Sequence, residues 1–145
     1  FKGNLLSSND RIYSDLLRYN KCILMTQSFI FNSLAFNELV PEFGLNNVDM
    51  MPVSFYDEQA RNILNGPIRN HILFDENHTP RWFNQFITQH NIIEVPAEDY
   101  EKITENDMLI YHINEDKEVT FKRSNRDIPE HETGVYGILK NAYLT

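Results

Sequence analysis

The sequence predicts an α+β fold, with N-terminal helices packed on a C-terminal antiparallel sheet. Three observations predict it. Helix caps and apolar residues at helical spacing dominate as far as His90. The stretch from Asp107 to Ile113 then reads as a strand, with Leu109, Tyr111 and Ile113 on one face and Met108, Ile110 and His112 on the other. Turn-forming residues separate that stretch from further strand-like segments, which makes helices first and strands second. The expected organisation is one domain over residues 1–145, helical from about 7 to 90 and an antiparallel meander from about 91 to 145.

Ser7-Ser8-Asn9-Asp10 supplies N-caps for a first helix carrying Ile12, Tyr13, Leu16 and Leu17. From Cys22 to Val40 the chain is rich in apolar groups. Ile23, Ile30 and Leu34 keep helical spacing, so one long buried helix is expected, closed by Pro41 and Gly44. Ser54 to Asp57 resembles a capping box ahead of Tyr56, Ala60, Ile63 and Leu64, and Asn65-Gly66-Pro67 ends that helix. Ile68 to Phe74 reads as a short strand. Thr79-Pro80 starts another helix, whose apolar face is Trp82, Phe83, Phe86 and Ile87.

Ile92 to Val95 is strand-like, Pro96 breaks it, and Ala97 to Lys102 is an acidic helical turn. Asn114 to Lys117 turns the chain after the alternating strand, and Val119, Thr120 and Phe121 return it. A third strand is expected between Val135 and Leu144, loosened by Gly134 and Gly137.

Composition narrows the function. Hydrophobic content of 41% and charge of 23% suit a folded globular chain of 145 residues with an ordinary core. Net charge is −8, which repels phosphate backbones and argues against a nucleic-acid partner. Lys122, Arg123 and Arg126 form the only basic cluster, read as a solvated hairpin end. A lone cysteine excludes an intramolecular disulfide. It leans toward a reducing, cytoplasmic compartment, although a secreted chain without disulfides would look the same. No apolar run approaches the roughly 18 residues that a membrane span needs. The chain begins at Phe1, which suggests a processed or partial chain. No phosphate-cradling glycine loop, nucleophile elbow or metal-ligand histidine spacing stands out, so no cofactor or metal is expected.

The residues with chemical promise are a cysteine and a histidine. A cysteine attacks as thiolate, which needs an imidazole or a helix N-terminus beside it. Cys22 opens the expected second helix, whose dipole would lower its pKa. Asn20 would direct its amide at the oxyanion. His131 would act as base, with His112 as the second choice. The competing reading makes Cys22 a small core residue and His112 a structural one.

Asn20-Lys21-Cys22-Ile23-Leu24, followed by Phe29 and Phe31, resembles the cysteine box of papain-like cysteine peptidases. Ile23 stands where viral and ubiquitin-specific members carry an aromatic. Glu130-His131 before an apolar strand is similar to the histidine box of that superfamily. Asn106 to Tyr111 and His131 to Tyr136 resemble the corresponding segments of its bacterial cell-wall amidase branch, with His131 three positions before Gly134 instead of two. The resemblance implies a papain-like fold and cleavage of an amide bond in a protein or peptide substrate. Cys22 would be nucleophile, His131 base, Asn20 oxyanion donor and Asn141 the residue that orients the imidazole.

Two further readings stand beside it. One is a non-catalytic acidic interaction module, an inhibitor, effector or assembly subunit, in which the acidic region from Glu94 to Glu118 steers a basic protein partner. The other rests on His131 to Asn141, which resembles the first motif of ADP-ribosyltransferases but stands at the wrong end of the chain.

Overall fold

The computed structural model describes residues 19–54, 60–62, 66–87 and 91–144. The chain divides into two compact units, Phe1–Ile72 and Leu73–Thr145, and the class is α+β. The helix expected over Ile12 to Leu17 lies outside the described residues, as does most of the one expected from Tyr56 to Leu64.

In the first unit, the stretch expected to be one helix from Cys22 is broken in two. Strand β1 covers Cys22–Leu24, and helix α1 begins only at Phe29 and runs to Phe43. Ser28 decides the start: its backbone is extended and its hydroxyl accepts the Phe31 N–H at 3.2 Å. Thr26 and the buried Asn32 lock the preceding turn. The Thr26 hydroxyl donates to Asn32 Oδ1 at 2.6 Å, and Asn32 Nδ2 donates to the Thr26 carbonyl at 3.1 Å. Gly44 ends α1 by donating its N–H to the Val40 carbonyl.

Strand β2, Val48–Met50, pairs in parallel with β1, Cys22 opposite Val48 and Leu24 opposite Met50. The expected strand at Ile68 is instead a 3₁₀ turn over Pro67–His71, because Pro67 fixes a helical φ at its start. Only Ile72 bridges to Met50. Leu24, Phe29, Phe36, Leu39, Val48 and Met50 form the centre of this unit's core.

The second unit carries helix α2, Pro80–Ile87, and a four-stranded antiparallel sheet of β3, Ile92–Pro96, β4, Met108–Ile113, β5, Val119–Phe121, and β6, Val135–Leu139. The sheet is not the sequential meander that was expected. The order is β3-β6-β4-β5, with the last strand inserted between the first two. The residues from Arg123 to Gly134 carry the chain from β5 back across the sheet to β6. Tyr136, Ile138 and Leu139 on β6 are almost wholly buried.

Two glycines are required by this packing. A Cβ on Gly137 would come within 2.3 Å of the Tyr111 ring, which lies across that strand position and donates its hydroxyl to Glu94 on β3 at 3.0 Å. Gly134 has φ +93°, and a Cβ there would meet the Ile113 carbonyl at 2.2 Å.

Candidate functional site

Cys22 lies at the start of β1, half-buried and packed on the apolar core of the first unit. Its thiol is therefore not at a helix N-terminus, which corrects the dipole argument made from the sequence. Burial pushes its pKa up, the opposite of what an activated nucleophile requires. Asn20 is exposed two residues before it.

The first unit also buries an acid–base pair that carries no sequence signal. Asp49 on β2 and His71 at the end of the 3₁₀ turn are each 95% or more enclosed, with Oδ1 and Nδ1 3.6 Å apart. The Phe36 ring packs on His71 at 5.0 Å. Alternation along the strands places Cys22 beside Val48, with Asp49 beside Ile23 on the opposite face. The three residues therefore do not form one site.

In the second unit, His112 and His131 are brought together. Their rings stack at 4.0 Å with 8° between planes. His112 is 3% exposed, and its Nε2 lies 2.8 Å from the Thr133 carbonyl. A carbonyl only accepts, so Nε2 carries the proton. His131 is partly exposed, and its backbone N–H donates to the Tyr136 hydroxyl, which in turn donates to the Pro129 carbonyl. Burial, with His112 alongside, pulls the His131 pKa down, so the ring is neutral at neutral pH.

Asn141 occupies a left-handed turn after β6, φ 57°, and donates its backbone N–H to Asp107 Oδ1 at 2.9 Å. Asp107 also accepts the Thr104 N–H and hydroxyl and the Lys140 ammonium. Burial pushes this carboxyl up, yet these donors outweigh it and hold its pKa at about 2. Cys22 belongs to the first unit, His131 and Asn141 to the second.

Sequence reasoning did not anticipate how much of α2 stays open. Its apolar residues are Trp82, Phe83, Phe86 and Ile87, and none of the eight residues is buried. Trp82 stacks on Phe86 at 4.8 Å and meets His78 at 4.4 Å, while Phe83 packs on Phe74. Tyr143, 6.1 Å from His78, extends this aromatic ledge and is 43% exposed. The carboxylates of Asp75 and Asp127 raise the Tyr143 pKa after burial, and both lie within 4 Å of Lys122 Nζ.

Carboxylates gather a second time at the end of β3. An open recess of 240 Å3 there is lined by Pro96, Glu98, Glu115, Glu132 and Thr133. Among the described residues no helix is long and apolar enough to cross a membrane, and no group of three or more His, Cys, Asp or Glu is arranged to hold a metal ion.

No family model, curated protein or solved structure matches the chain.

Proposed function

We propose that the chain is a non-catalytic acidic interaction domain that takes a basic segment of a partner polypeptide bearing apolar side chains. The observation that carries this reading is the ledge on α2. A short helix gains its stability by burying its apolar face, yet this one leaves stacked Trp82 and Phe86 only partly buried and Ile87 exposed, continued by the exposed Tyr143. Aromatic residues on an open surface are the commonest anchors of protein interfaces. Asp75 and Asp127 beside the ledge, on a chain of net charge −8, set the sign of the partner.

Trp82 is the single tryptophan, so its emission reports directly on the ledge. Synthetic amphipathic peptides of Lys and Leu should shift that emission to shorter wavelength. The affinity should fall as salt is raised from 50 to 500 mM, roughly the range over which surface charges become screened. Equal response to peptides with Glu in place of Lys, or none to either, would refute the reading.

A second reading, the papain-like cysteine peptidase, has one observation in its favour: His131 is neutral at neutral pH and partly exposed, as a general base must be. The raised Cys22 pKa weighs against it. Iodoacetamide separates the two. A peptidase thiol is labelled in the native protein near pH 7 faster than free cysteine, whereas the interaction reading expects Cys22 to react more slowly than free cysteine.

A further inference from the structure

Strand β3 stands at one edge of its sheet, and among the described residues no strand pairs with its outer side. The hydrogen-bond phase of that outer side follows from its inner neighbour. The Ala97 N–H donates to the Gly134 carbonyl at 2.9 Å, and Ala97 lies opposite Gly134 by continuation of the β3–β6 register. Bonded pairs alternate with non-bonded pairs along an antiparallel ladder. Ile93 and Val95 therefore direct their N–H and carbonyl toward Ile138 and Tyr136 on β6. Ile92 and Glu94 direct theirs outward, and Pro96 adds an outward carbonyl but no N–H.

This edge is accessible. Ile92 and Ile93 are 40% and 45% exposed, and Glu94 and Pro96 are exposed as well. An open edge with apolar side chains is a template for another strand. The charge around it selects what pairs there. Glu94 lies at the middle of β3, and the recess beside Pro96 carries Glu98, Glu115 and Glu132. A second copy of this chain is disfavoured, since pairing β3 with β3 places Glu94 near Glu94 between two molecules of charge −8.

We propose that β3 accepts an extended Lys- or Arg-bearing segment of a partner polypeptide by strand addition, bonding through the outward N–H and carbonyl groups of Ile92 and Glu94. Basic side chains of the incoming strand lie on the face that Glu94 shares with Ile92, within reach of the recess carboxylates, and apolar ones lie on the opposite face against Ile93. This rests on the reading of the chain as an interaction domain and specifies a binding mode for it, separate from the ledge.

The test uses short synthetic peptides alternating Lys with Val or Thr, with amide hydrogen exchange and binding both measured on the whole chain. At saturating peptide, exchange of the Ile92 and Glu94 amides should slow about tenfold or more, while Ile93 and Val95, already bonded to β6, change little. N-methylation of the peptide at alternate positions should weaken binding about tenfold in one phase and less than about twofold in the other, since only one set of amides faces β3. Peptides that bind with unchanged exchange at Ile92 and Glu94, or equally in both methylation phases, overturn strand addition. If such binding is also lost in Trp82→Ala, the interaction reading stands while this inference fails. If no Lys-bearing peptide binds anywhere on the chain, both fail. Sedimentation showing a dimer that the peptide dissociates would overturn the choice of partner.

Discussion

Replacing Asp107 by Asn should cost the fold about 2–3 kcal/mol at pH 7. The carboxylate is fully enclosed and accepts from the backbone of Thr104 and Asn141, the Thr104 hydroxyl and the Lys140 ammonium. Its pKa in the fold is about 2, against an ordinary value of 3.8. A gap of about 1.8, at about 1.36 kcal/mol per pKa unit, gives that figure. Asparagine keeps the shape but presents an NH2 to a site built from donors, so it does not recover the loss.

The pH dependence sets this apart from a general packing defect. The folded pKa lies below the unfolded one, so the contribution is complete above pH 5 or so and disappears as pH falls through about 4 to about 2. Urea unfolding of the parent chain and the Asn variant, followed by circular dichroism at pH 7, 5, 4 and 3, should show a stability difference that closes over that window. A difference that stays constant with pH would refute the assignment of the carboxylate as the organiser of this turn.

Three other outcomes follow from the same structure. Gly137→Ala should lose about 1–3 kcal/mol by forcing a methyl into the Tyr111 ring, and Tyr111→Ser in the same chain should recover part of it in thermal melts. Ser28→Ala should cost about 1 kcal/mol by removing the cap of α1, and Ser28→Asp should retain most of the stability in urea unfolding. His131 should titrate below the ordinary histidine range by NMR, and because its folded pKa is the lower one, its protonation draws stability away as pH falls through about 6.5. Phe in place of His112 should leave most of that shift, since burial is its larger cause.

What the sequence made legible was local. Thr79-Pro80 and the spacing of Trp82, Phe83 and Phe86 located α2, and alternation located β4 and its face containing His112. Strand β1 was missed because three residues are too few to establish a period, and its apolar run merged with α1. The polar break Thr26-Gln27-Ser28, with serine as a ready N-cap, was the signal that separated them. Strand order depends on contacts far apart in sequence, so nothing in β6 announced that it would lie between β3 and β4. For the same reason neither the His112–His131 stack nor the Asp49–His71 pair was visible. Each depends on a register or a turn that only the folded chain fixes.

The edge at β3 is held from behind by contacts that run across the sheet, and this bears on how it would bind. Its inner side is held by β6 from Ile92 to Pro96, and Ala97 continues the ladder to Gly134. Glu94 is held again from beyond β6, because Gly137 lets the Tyr111 side chain cross that strand and donate to the carboxylate. Tyr111 meets Phe121 in turn, so a row of contacts runs from β5 across the sheet to the open edge. An incoming strand then orders its own backbone but little of the acceptor, which lowers the conformational cost of pairing. That bond engages one Glu94 oxygen, and a lysine or arginine is the side chain that would bring the carboxylate a donor and a charge together. Tyr111→Phe keeps the ring over Gly137 and removes only that restraint. Weaker peptide binding in that variant at unchanged thermal stability would trace the affinity to the held carboxylate, and unchanged binding would show that the edge needs no such support.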